Sequence, residues 1–89
     1  MNTSNFRPLA KSVKFDDDSM WVELIDGRTL GIPLAYFPRL FSAPASKRRK
    51  YVISGGGIGI HWEELDEDIS VRGLLLGQGD RSVKEKFAA

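Results

Sequence analysis

No cysteine occurs anywhere in the 89 residues, which removes disulfide frameworks, thiolate nucleophiles and cysteine-based zinc sites together. The same absence agrees with a reducing cytoplasm, where the chain is expected to reside. A long apolar run is also missing. Nothing approaches the ~18–20 residues a membrane-spanning helix needs, and Met1-Asn2-Thr3-Ser4-Asn5 offers no apolar region for a secretory signal. Neither sign of charge dominates, with thirteen basic and twelve acidic side chains, so electrostatic recognition must come from local clustering. A single histidine, His61, is present. A catalytic zinc wants three protein ligands and a pure carboxylate site is weak, so no metal or cofactor is expected. A chain of this length makes one domain with a modest core, and pairing as a homodimer through Trp21 or Trp62 would bury more.

What is present reads as strands first. Residues 1–7 are polar and expected to be disordered. Pro8–Phe15 alternates in part, with Leu9, Val13 and Phe15 on one face and Lys11 intruding there, where it could snorkel at a sheet edge. Asp16-Asp17-Asp18-Ser19 reads as a polar turn, since a calcium loop needs spaced ligands and a glycine. Met20–Ile25 and Arg28–Leu34 alternate on either side of Asp26-Gly27, the strongest short hairpin signal, predicting a type I′ turn. Pro33 lacks an N–H and belongs at an edge or a terminus.

Leu34, Phe37, Leu40 and Phe41 recur at helical spacing, while Pro38 calls for a helix starting near Phe37-Pro38 or for two short turns. Pro44 opens a further turn carrying Lys47-Arg48-Arg49-Lys50. Tyr51–Ser54 and Ile58–Trp62 form a second hairpin around Gly55-Gly56-Gly57, which is a reversal and not a phosphate loop, because a strand follows it. The fold expected is α+β: an antiparallel sheet, made of a three-strand meander and a second hairpin, with one or two short helices packed on it.

The stretch from Gly55 to Gly77 holds the candidate site. Ser70 is placed to cap a helix over Val71–Leu76, with Asp66 and Asp68 upstream favouring its dipole and Leu74, Leu75 and Leu76 docking on the sheet. A sharper reading sets His61 beside Asp66, Glu67 or Asp68 for metal binding or acid–base work, but no second nitrogen or sulfur ligand accompanies it. A third makes His61, Trp62, Glu64, Asp66, Glu67 and Asp68 a docking surface for a basic partner protein. Arg39, Lys47, Arg48, Arg49 and Lys50 form the alternative, a nucleic-acid contact. Against it, four adjacent positions on a helix point to all sides, and no aromatic platform is interleaved before Tyr51.

Pro38-Arg39-Leu40, Ala43 with the basic run after it, Gly59-Ile60-His61-Trp62, Leu65-Asp66-Glu67-Asp68-Ile69-Ser70 and Leu74-Leu75-Leu76-Gly77 together resemble the signature of the small bacterial DUF2442 proteins. The likeness spans Pro8–Gly77. It departs at Glu63, where the family often has proline, which bears on the local turn geometry. The resemblance implies a small α+β domain of unknown function. Members are often encoded beside another short protein, in arrangements suggestive of toxin–antitoxin pairs, and some continue into a helix-turn-helix module. Gln78–Ala89 is expected to be a tail, too short for such a module. No catalytic residue carries over. The expectation is a non-enzymatic interaction or regulatory module, antitoxin-like, whose partner is a neighbouring gene's product.

Overall fold

A computed structural model describes residues 8–77; the expectations for residues 1–7 and 78–89 lie outside these. Two three-stranded antiparallel meanders make up the fold. Ala10–Phe15 (β1), Ser19–Leu24 (β2) and Thr29–Pro33 (β3) form one sheet in the order β1-β2-β3. Val52–Ser54 (β4), Gly59–Trp62 (β5) and Glu67–Ser70 (β6) form the other in the order β4-β5-β6. Three short helices, Pro38–Phe41 (α1), Ala45–Arg48 (α2) and Val71–Leu75 (α3), join a 3-10 turn at Leu34–Tyr36. The architecture is α+β, and among the described residues no helix is long and apolar enough to cross a membrane.

Alternation places Val13, Met20, Val22, Leu24 and Ile32 of the first sheet and Ile60, Trp62 and Ile69 of the second in one buried cluster. Leu34, Phe37 and Leu40 complete it from the helical stretch, and Val71 and Leu74 from α3. The opposite face of β2 presents Trp21 to solvent, and Ile25, just past the strand's end, is exposed as well. Trp21 lies flat over Gly31, where an added Cβ would stand 2.5 Å from the ring. Its indole N–H donates to Asp16 Oδ2 at 2.8 Å. Asp16 Oδ1 also accepts the backbone N–H groups of Asp18 and Ser19, so the aspartate triplet is a turn. The Trp21 hydrogen bond is the main influence holding the Asp16 carboxyl below its ordinary value of 3.8.

Four expectations need correction. Lys11 does not snorkel on the apolar face. It is the extra residue of a bulge between Ala10↔Leu24 and Ser12↔Glu23, and this phase change lets Ala10 and Val13 both face inward while Lys11 stays exposed. The Asp26-Gly27 hairpin forms, but only Gly27 takes a positive φ, at 97°. Leu24 N donates to Arg28 O and Gly27 N to Leu24 O, so the loop is three residues long and ends in a glycine bulge. Ile58 belongs to the glycine turn and is exposed, leaving β5 to begin at Gly59.

The fourth concerns the acidic run, which does not cap a helix. Glu67–Ser70 is a third strand of the second sheet, paired Trp62↔Glu67, His61↔Asp68, Ile60↔Ile69 and Gly59↔Ser70. Ser70 alone caps α3, its Oγ accepting Gly73 N–H at 3.2 Å, and the first turn of α3 contains no acid. Of the three leucines, Leu74 is buried, whereas Leu75 and Leu76 are exposed.

The sheets meet where the glycine turn passes the start of β1. Gly57 has φ 115°, and a Cβ there would lie 2.9 Å from both the Ala10 carbonyl oxygen and the Leu9 Cβ. Gly56 has φ 68° with open space around it. Gly56→Ala is therefore expected to cost only left-handed strain, about 1 kcal/mol. Gly57→Ala adds a backbone collision and is expected to cost about 2–4 kcal/mol, read as a lower urea midpoint at unchanged slope. A depressed carboxyl contributes stability above its unfolded pKa and loses it as pH falls through the folded value. The Trp21 indole N–H resonance should accordingly move with a midpoint below 3.8, and Asp16→Asn should abolish that transition.

Candidate interaction surface

The residues around the second sheet divide into a buried set and an exposed set. Trp62 is buried completely. Its Nε1 donates to the Arg48 carbonyl at 2.8 Å, and the rings of Phe15 and Tyr51 flank it at centroid distances of 6.5 and 6.4 Å. Glu67, its partner on β6, is also buried. Both side chains lie on the inner face, because β6 alternates Glu67 and Ile69 inward with Asp68 and Ser70 outward. As placed, neither can meet a docking protein.

The rest of the acidic group is outside. Residues 63–66 form a turn closed by Asp66 N donating to Glu63 O at 3.2 Å. Asp66 adopts φ 50°, the one non-glycine residue with positive φ among those described, a conformation aspartate tolerates better than most. Arg39 Nη1 donates to the Asp66 carbonyl oxygen and ties the turn to α1. Lys50 Nζ stands 3.2 Å from Glu64 Oε1, a solvent-exposed pair of small energetic weight. His61 and Asp68 face each other across β5 and β6 as a non-hydrogen-bonded pair, where side chains approach closely, with Nδ1 2.9 Å from Oδ1. Glu63, Glu64, Asp66 and Asp68 are all exposed. Among the described residues no three metal-ligating side chains converge.

The basic residues do not share one face. Arg48 is a structural clamp: its Nε and Nη2 donate to the carbonyls of Leu40 and Phe41 at 2.7 and 2.9 Å, satisfying groups at the end of α1. Arg39 and Lys50 engage the acidic turn, as above. Lys47 and Arg49 are exposed and take part in no ion pair among the described residues. Nothing in a run of four cations distinguishes the clamp from its neighbours, so the role of Arg48 could not be read from composition. Tyr51, whose Oη accepts the Val13 N–H at 3.1 Å, was equally hidden.

A cleft of about 550 Å³ runs between residues 13–17 of β1 and its following turn on one side and Ala45, Arg48 and Arg49 of α2 and its end on the other. A smaller one, about 180 Å³, separates β3 from α3 and is lined by Gly31, Ile32, Pro33, Tyr36, Leu74 and Gly77.

Comparison with known proteins agrees with this architecture. A protein of unknown function from Rhodospirillum rubrum, known from a crystal structure, superimposes with a TM-score of 0.75 at 31% identity, covering 84% of this chain and 93% of that one. An uncharacterized protein from Chromobacterium violaceum, known from a solution NMR structure, gives 0.71 at 26% identity, covering 88% of this chain and 72% of that one. No functionally curated protein matches the chain. The profile of DUF2442, a protein family of unknown function, matches residues 10–79. With that match spanning most of its length, the chain belongs to the DUF2442 family.

Proposed function

We propose that this protein is a non-enzymatic docking module, the antitoxin-like member of a pair, whose acidic turn receives a basic surface of a small partner protein. The observation that carries this reading is the placement of Glu63, Glu64, Asp66 and Asp68. All four are exposed: Glu63, Glu64 and Asp66 on the turn that Arg39 pins at Asp66, and Asp68 on β6, the paired strand that follows it. Fixed charge of one sign steers an oppositely charged partner and loses little entropy on docking. The partner sought first is the product of an adjacent gene.

The nucleic-acid reading has less support. Arg39 and Arg48 donate to backbone carbonyls within the fold, which leaves Lys47, Arg49 and the weakly paired Lys50 as the available cations of the basic stretch among the described residues. Three phosphate contacts would provide modest counterion release.

Glu64→Lys with Asp68→Lys reverses charge at two exposed positions and is expected to leave the fold intact. Binding to the adjacent gene's product, followed by surface plasmon resonance, should slow in association by about tenfold or more in the double variant. Raising salt from about 50 to about 300 mM should weaken the wild-type complex in the same direction. Equal association rates for wild type and variant at low salt would refute the acidic docking surface.

A further inference from the structure

The larger cleft lies along an unpaired strand edge. Asp16 N donates to Ser19 O, so the backbone groups of even-numbered residues in this part of β1 point toward β2. Odd-numbered ones point away, as Val13 demonstrates by donating its N–H to Tyr51 Oη. Phe15 follows the same phase. Its N–H and C=O, together with the Val13 C=O, face away from β2, and none of them has a hydrogen-bond partner among the described residues. Beyond Tyr51 no strand among the described residues covers this edge, and the space beside it is the cleft of about 550 Å³, ample for side chains of an added chain.

The two walls differ in character. Phe15, half-buried against Trp62, supplies an apolar floor. Across from it, Arg49 is exposed and Arg48 is held rigid by its two carbonyl contacts, which makes the α2 wall positive. The β1 side also carries Asp16, whose oxygens accept from Trp21, Asp18 and Ser19, and Asp17, so a carboxylate entering the cleft is directed to the α2 wall. Two of the other three sheet edges are guarded: β3 ends in Pro33, and β6 carries the exposed Asp68, both features that discourage strand addition; β4 is only three residues long.

The geometry points to β1 as the acceptor for an extended acidic peptide, which adds as a fourth strand to the first sheet through Phe15 and Val13 and places a carboxylate against Arg49. Main-chain bonds give such a mode its grip, and the side chain facing α2 gives it selectivity. This surface is separate from the acidic turn, and its test does not depend on that one.

The probe is a synthetic five-residue peptide of alternating valine and glutamate with blocked ends, titrated into the ¹⁵N-labelled full chain. A lysine-for-glutamate version and a backbone N-methylated version serve as comparisons. The acidic peptide should shift the Phe15 and Arg49 amide resonances saturably, while the other two bind at least about tenfold more weakly. Arg49→Glu, at an exposed position, should lose the acidic peptide and favour the lysine version. Shifts centred on Gly31 or Asp68 instead of Phe15, equal response to all three peptides, or acidic-peptide binding unaffected by Arg49→Glu would each overturn the assignment.

Discussion

Trp62 has to meet two demands at once, and the rest of the structure is arranged so that it can. Its ring is fully removed from water, and a buried indole N–H without an acceptor costs on the order of 1–3 kcal/mol. The Arg48 carbonyl supplies that acceptor. This single bond ties the second sheet to the end of α2. Phe15 from the first sheet and Tyr51 from the approach to β4 close on the ring from either side. Tyr51 then passes the linkage on by accepting the Val13 N–H of β1. Both sheets and the helical connection are thereby joined through one side chain.

The charged residues show how little a count of charges says about their use. Arg48 and Arg49 are neighbours of identical type, yet one holds down the end of α1 and the other extends into solvent. Glu67 and Asp68 are likewise adjacent and acidic, with the first buried and the second exposed. In both pairs local geometry decides: helix ends leave carbonyls that need donors, and a strand sends successive residues to opposite faces. The surface left after these internal uses has an acidic turn and a small cationic wall.

Much of the scaffold could be read in advance where a strong local rule operated. The β2–β3 hairpin, the two short turns around Pro38, the glycine reversal and the Ser70 cap all follow from backbone preferences that need no tertiary context. β6 was concealed because Glu67 occupies an inward position, which breaks the apolar alternation that marks a half-buried strand. The bulge at Lys11 was concealed for a related reason: one inserted residue changes the face of everything before it, and periodicity alone takes the result for a stray charge. In the candidate site, the exposure of Glu64, Asp66 and Asp68 agrees with their polarity. The burial of Trp62 and Glu67 depends on which strand lies opposite, and no spacing within the segment reveals it.

Among the described residues each strand pairs only with its neighbour in the chain, β1 to β2 to β3 and β4 to β5 to β6. Every ladder therefore closes over a short loop, where the entropy lost on closure is small. Long-range order enters at one stage, when two locally formed meanders come together across the glycine turn and the aromatic cluster. A topology of this kind has low contact order for a protein so rich in strands, and it belongs with domains that fold faster than sandwiches of similar strand content. The transition state has little to search for beyond the docking of one preformed half against the other.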